Sequence, residues 1–170
     1  MDIRYIDTFE LARSGRQVQG QAPLGQFARL MAGLPRQAGT LVRWSLQGES
    51  DAAGRSFVTV RAQAEPTLEC QRCLSAFVYP VNVDNRLEIV DTEAGLADED
   101  ADPEDAERIL GSQRFDVLAL VEDELILGLP YVPKHDVCPS EHGSPAKADA
   151  PQADDARPSP FAVLERLKKN

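Results

Sequence analysis

Two rhythms organise the apolar residues of this chain. The first has a period of two. In LVRWSLQGE (41–49), Val42, Trp44 and Leu46 alternate with Leu41, Arg43 and Ser45, which predicts a strand with two unlike faces. RSFVTVRAQAEPTLEC (55–70) starts β-branched and sets Phe57 and Thr59 against Val58 and Val60. FVYPVNVDNRLEIV (77–90) is again strand-like, and Pro80, which has no N–H to donate, places it at a sheet edge or a bulge. DAAG (51–54) supplies a turn ending on Gly54. Ile3 to Phe9 predicts a short strand followed by a loop. These runs predict a meander of antiparallel strands, with CQRC (70–73) in the turn between the last two.

The second rhythm is helical. In QFARLMAGL (26–34), Phe27, Leu30, Met31 and Leu34 share one side, and Pro35 stops the helix. In FDVLALVEDELILGLP (115–130), Asp116 is a plausible N-cap. Leu118, Val121, Leu125 and Leu129 then share a face, Glu122, Asp123 and Glu124 fall away from it into solvent, and Pro130 ends the helix. PEDAERIL predicts two helical turns with Pro103 at the first position. YVPKHDVC (131–138) reads as an extended loop. The predicted fold class is therefore α+β: an antiparallel sheet of short strands with one or two packed helices, an acidic insertion and a flexible C-terminal tail. One domain is expected over residues 1–138, with residues 91–114 as a partly mobile insertion. A Ser/Pro/Ala-rich linker follows over 139–160, and a short helical motif over 161–170. In that motif Phe161, Leu164 and Leu167 have helical spacing, and Lys168 and Lys169 suit a helix C-terminus.

Charge divides the chain more sharply than composition does. Residues 1–90 hold ten arginines against nine acids, a balance of +1. Residues 91–156 carry −14, and residues 157–170 return to +3. A segment so acidic repels phosphate backbones and attracts basic proteins, or serves only as a solvated spacer. No apolar run approaches the roughly 18 residues of a membrane span, and the first residues lack a signal-peptide apolar region. Three cysteines is an odd number and argues against a disulfide framework, so a reducing, cytoplasmic location is expected. The chain has no glycine-rich phosphate loop and no nucleophile elbow. Its only histidines are His135 and His142, and no enzyme is expected. Glu122, Asp123 and Glu124 do not make a magnesium site, because three consecutive helix positions point in different directions.

The cysteines carry the candidate chemistry. Cys70 and Cys73 form one CxxC pair, and His135 and Cys138 form an HxxC pair further on. Together they have the ligand types and spacing of a Cys3His zinc site, with His142 as an alternative fourth ligand. Two other uses stay open on the residues alone. The cysteines can be small buried hydrophobes, or Cys70 and Cys73 can be a redox pair. The redox reading is the weaker, because LSAFVYPV leads into a strand rather than a helix.

Three blocks of sequence, TLECQRCLSAF (67–77), LALVEDELILGLPYVPKHDVC (118–138) and PSPFAVLERLKK (158–169), together resemble the YceD family of large ribosomal RNA subunit accumulation proteins. The resemblance implies a bacterial cytosolic factor needed for synthesis, processing or stability of 23S rRNA, with no known catalytic activity and no small-molecule substrate. It carries over no ligand residues, and family members vary in cysteine content around the second block. Two mechanisms are open. In the first, a protein partner such as a basic ribosomal protein or a large-subunit assembly factor is steered by Asp98, Glu99, Asp100, Asp102, Glu104 and Asp105 and gripped by Phe161, Leu164 and Leu167. In the second, Arg43, Arg55, Arg61, Arg72 and Arg86 contact rRNA from a sheet face on which Trp44 and Phe57 stack bases.

Overall fold

The alternating runs become the middle of a five-stranded sheet. In a computed structural model that describes residues 3–96 and 106–139, the chain order is β1 (Tyr5–Ile6), α1 (Thr8–Ser14), β2 (Gln17–Pro23), a 3-10 turn (Leu24–Gln26) and α2 (Ala28–Met31). There follow β3 (Leu41–Ser50), β4 (Ser56–Ala64), β5 (Thr67–Glu69), β6 (Ala76–Val78) and β7 (Val81–Val90). The last elements are α3 (Glu93–Leu96), β8 (Glu107–Leu110), β9 (Phe115–Asp116) and α4 (Val117–Leu127). The chain divides into two units, Met1–Cys138 and Pro139–Asn170, and all these elements lie in the first.

The main sheet has the order β2-β3-β4-β7-β8. β2 to β7 pair antiparallel, and β8 joins parallel to β7. Register follows the pattern of faces. Val42, Trp44 and Leu46 of β3, Val58, Val60 and Ala62 of β4, and Val81, Leu87 and Ile89 of β7 all point inward and are buried. Leu11 and Ala12 of α1 and Val117, Leu120, Val121 and Leu125 of α4 close over that face in one core. Two inward glycines make room for it. A Cβ on Gly20 would lie 2.6 Å from the Trp44 ring, and one on Gly48 would lie 2.2 Å from the Leu11 carbonyl oxygen. The outer face carries Gln19, Gln21, Arg43, Ser45, Gln47, Thr59, Arg61 and Arg86.

The α+β class is as the sequence predicts, and several elements differ. The expected strand over Ile3–Phe9 shrinks to β1, and the expected loop contains α1 and β2. The helix expected over 26–34 is only α2, because Leu24–Gln26 form a 3-10 turn before it and the chain turns extended at Ala32 and left-handed at Gly33, φ +85°, after it. Its N-cap is Phe27, whose side chain cannot cap. Glu122 takes over that role: its carboxylate accepts from the Arg29 N–H at 2.6 Å and the Leu30 N–H at 3.1 Å. The runs 55–70 and 77–90 are each cut in two, at Pro66 and Pro80, neither of which can donate to a ladder. β7 is not at an edge, since it lies between β4 and β8, so Pro80 marks a break. The helix expected over PEDAERIL is absent from its described part, where Glu107–Leu110 is β8. There Ile109 pairs with Ile89 and packs against the core, which a short helix could not do.

α4 forms as predicted. Asp116 accepts from the N–H groups of Leu118 and Ala119 at 3.0 and 3.2 Å. Its acids do not form a solvated face. Glu122 and Glu124 are buried, the first bonded to Arg29 and the second reached by Asn85 Nδ2 at 3.2 Å. No helix among the described residues is long and apolar enough to cross a membrane.

Candidate metal centre

Two short segments far apart in sequence build the site. β5 and β6 form a small hairpin whose turn is CQRCLS. Within it the Cys70 N–H donates to the Ser75 carbonyl at 3.0 Å, and the Leu74 N–H donates to the Cys70 carbonyl at 2.8 Å. So tight a knuckle puts Leu74 at φ +60°, the left-handed region that favours glycine. The facing segment leaves the end of α4. The Gln71 N–H fastens it by donating to the Pro133 carbonyl at 2.9 Å. The His135 ring rests on Phe77 with centroids 4.6 Å apart.

This framing brings together the four residues of the CxxC and HxxC pairs. His135 Nδ1 lies 3.4 Å from Cys73 Sγ and 4.0 Å from Cys138 Sγ. Cys70 Sγ and Cys138 Sγ are 3.8 Å apart. All four ligand atoms fall within 4.8 Å of one another, a group that could hold a metal ion. The three thiols are free, so none is spent on a disulfide. Burial alone would raise the Cys70 thiol, but the backbone N–H groups of His135, Cys73 and Arg72 outweigh it and lower the thiol to about 5. That shift favours the thiolate, the form that binds metal. Burial pushes Cys138 the other way, against the pull of Arg72.

Arg72 is the residue that sequence reasoning misplaced. It does not join a sheet face. Its Nε donates to Cys138 Sγ at 2.9 Å and its Nη2 to the His135 carbonyl at 3.1 Å. The other four arginines lie on or beside the outer face of the main sheet. Arg61 pairs with Asp84 at 3.0 Å, Arg55 with Asp51 at 2.8 Å, and Arg86 with Glu49. Arg55 and Arg86 also sit over the Phe57 ring, which is buried beneath them. Trp44 faces the core. The two rings expected to stack bases are thus covered. Arg43 is exposed and has no ion pair among the described residues. His142, Asp98, Glu99, Asp100, Asp102, Glu104, Asp105, Phe161, Leu164 and Leu167 lie outside the described residues.

Comparison with known proteins adds the family. The profile described as Large ribosomal RNA subunit accumulation protein YceD matches residues 58–168. This chain belongs to the YceD family. The family span runs from β4 past the end of α4 and contains Cys70, Arg72, Cys73, His135 and Cys138, whereas β1, α1, β2, α2 and β3 precede it. A YceD relative from Haemophilus influenzae, named Large ribosomal RNA subunit accumulation protein YceD, is 36% identical over 116 residues. That match covers 64% of this chain and 63% of the relative's length. No solved structure matches the chain.

Proposed function

We propose that this YceD-family chain supports accumulation of the RNA of the large ribosomal subunit, 23S rRNA, without catalysis, by holding a protein partner. The observation that carries the choice of partner is the condition of its arginines. Four of the five expected to meet RNA already face an anion or a sulfur, and Trp44 and Phe57 are buried. Single-stranded RNA needs open rings to stack on and free cations to follow its backbone. Apart from Leu41 beside Arg43, the most exposed apolar residues lie elsewhere. Leu74, Val78, Tyr131 and Val137 flank the Cys/His cluster in sequence, with Leu74 71% and Tyr131 99% exposed. Such residues suit a protein contact. The −14 balance of residues 91–156 favours a basic partner, a ribosomal protein or an assembly factor. In this reading the acids from Asp98 to Asp105 steer the partner and Phe161, Leu164 and Leu167 help to grip it.

Direct contact with rRNA is the second reading, and exposed Arg43 speaks for it. A tagged pull-down at moderate salt separates the two, with half of the sample nuclease-treated before washing. A basic ribosomal protein or an assembly factor should remain after nuclease. Recovery of 23S rRNA with loss of every protein after nuclease would replace the partner reading with the RNA one.

A further inference from the structure

The spacing of the four ligand atoms can be compared with what one ion requires. Around a tetrahedral zinc, with bonds of about 2.3 Å to sulfur and about 2.0 Å to nitrogen, two sulfurs lie about 3.8 Å apart and a sulfur and a nitrogen about 3.5 Å. Here the sulfur pair Cys70 and Cys138 is at 3.8 Å, and the sulfur–nitrogen pairs to His135 Nδ1 are at 3.4 and 4.0 Å. Three of the six pair distances thus match those around one tetrahedral ion, and all six lie within 4.8 Å. A disulfide would need about 2.05 Å between sulfurs. Cys70 and Cys73 are buried, so an ion between them is shielded from water.

We propose that Cys70, Cys73, His135 and Cys138 bind one Zn²⁺ as a closed structural site, and that Arg72 is its built-in counter-charge. Three thiolates, one neutral imidazole and a divalent ion leave one net negative charge in a partly buried corner. The Arg72 guanidinium lies against it, donating to Cys138 Sγ and to the carbonyl of the ligand His135. Hydrogen bonds of this kind orient ligands and tune their basicity. Four protein ligands leave no open position for water or substrate, so the ion is a clasp and not a reagent. It ties the β5–β6 hairpin to the segment after α4, which among the described residues is otherwise joined to the hairpin's backbone by the bond from Gln71 to Pro133.

The test uses the full chain. Purified protein should carry one zinc per chain by elemental analysis. Cobalt exchanged into it should show the strong visible bands and sulfur-to-metal charge transfer of a tetrahedral thiolate site. Arg72→Gln keeps all four ligands and should still bind cobalt with that spectrum, with zinc affinity about 10–100-fold weaker in chelator competition. Arg72→Lys, which restores the charge but not the planar fork, should recover part of the loss. Chelation should raise hydrogen exchange in residues 67–78 and 131–138 while β3, β4 and β7 stay protected. Metal content near zero, a weak octahedral cobalt spectrum, or three thiols that react freely in the purified protein would overturn the site. An Arg72→Gln affinity equal to wild type would overturn the role of Arg72 alone.

Discussion

Leu74 holds a backbone conformation that costs a leucine about 1–2 kcal/mol and that glycine adopts freely. Its side chain recovers little of that cost, since it is 71% exposed. Strain kept at an exposed apolar residue points to use of that residue. Leu74→Gly should therefore stabilise the fold by up to about 1 kcal/mol, seen as a higher melting temperature, and should weaken partner capture in the pull-down. Unchanged capture would show that Leu74 is not part of the contact. Glu124 is the opposite kind of residue, a buried acid. Burial raises its pKa, Asn85 partly opposes this, and Glu107 and Asp123 add to it. The folded chain thus holds this proton more tightly than the unfolded chain does. Stability falls as pH rises from the ordinary 4.5 through the raised value, and stays lower above it. Glu124→Gln should raise the urea midpoint at pH 7 and flatten its dependence on pH over that window. The sequence displayed the four cluster residues, because each pair is local and ligand spacing is short. It could not display the work of Arg72, whose sulfur partner lies 66 residues on. Nor could it show Glu122 and Glu124 as buried, because their partners Arg29 and Asn85 come from other elements.

At the level of elements, legibility followed the strength of the local signal. β3, β4 and β7 are long and alternate cleanly, and α4 begins on a capping aspartate. α1 is only seven residues long, yet its ends are marked in the sequence. Asp7 accepts from the Glu10 N–H at 2.9 Å, and Gly15 closes the helix at φ +58°. That D-x-x-E followed by glycine was the available cue. β2 gave almost none, because QVQGQAP places small residues inward and glutamines outward. β8 was hidden because its ladder is with a strand across the acidic stretch. The junction of α2 and α4 was equally illegible. Glu122 caps a helix 93 residues away, so Glu122→Ala removes one acceptor from two backbone donors and one partner from Arg29. It should cost about 1–3 kcal/mol, read as a lower urea midpoint with an unchanged slope.

For the whole molecule, the family was readable because three separated blocks occur in order, and the profile match over residues 58–168 covers the first two and all but the last residue of the third. The α+β class followed from the two rhythms. The parallel partner of β7 did not, since parallel pairing needs a crossover that no local pattern announces. The cluster also gives the molecule a history. Its four residues are not made together, because 62 residues separate Cys73 from His135. At translation rates of about 5–20 residues per second, that interval lasts roughly 3–12 s. The hairpin strands can pair as soon as they emerge, but their corner closes only after α4 and the segment beyond it have been synthesised. For those seconds two neighbouring thiols wait without their partners, and oxidation at that stage would seal them to each other. A disulfide closed in that interval would withhold both sulfurs from His135 and Cys138, so the order of synthesis exposes this corner to oxidation before it can be completed.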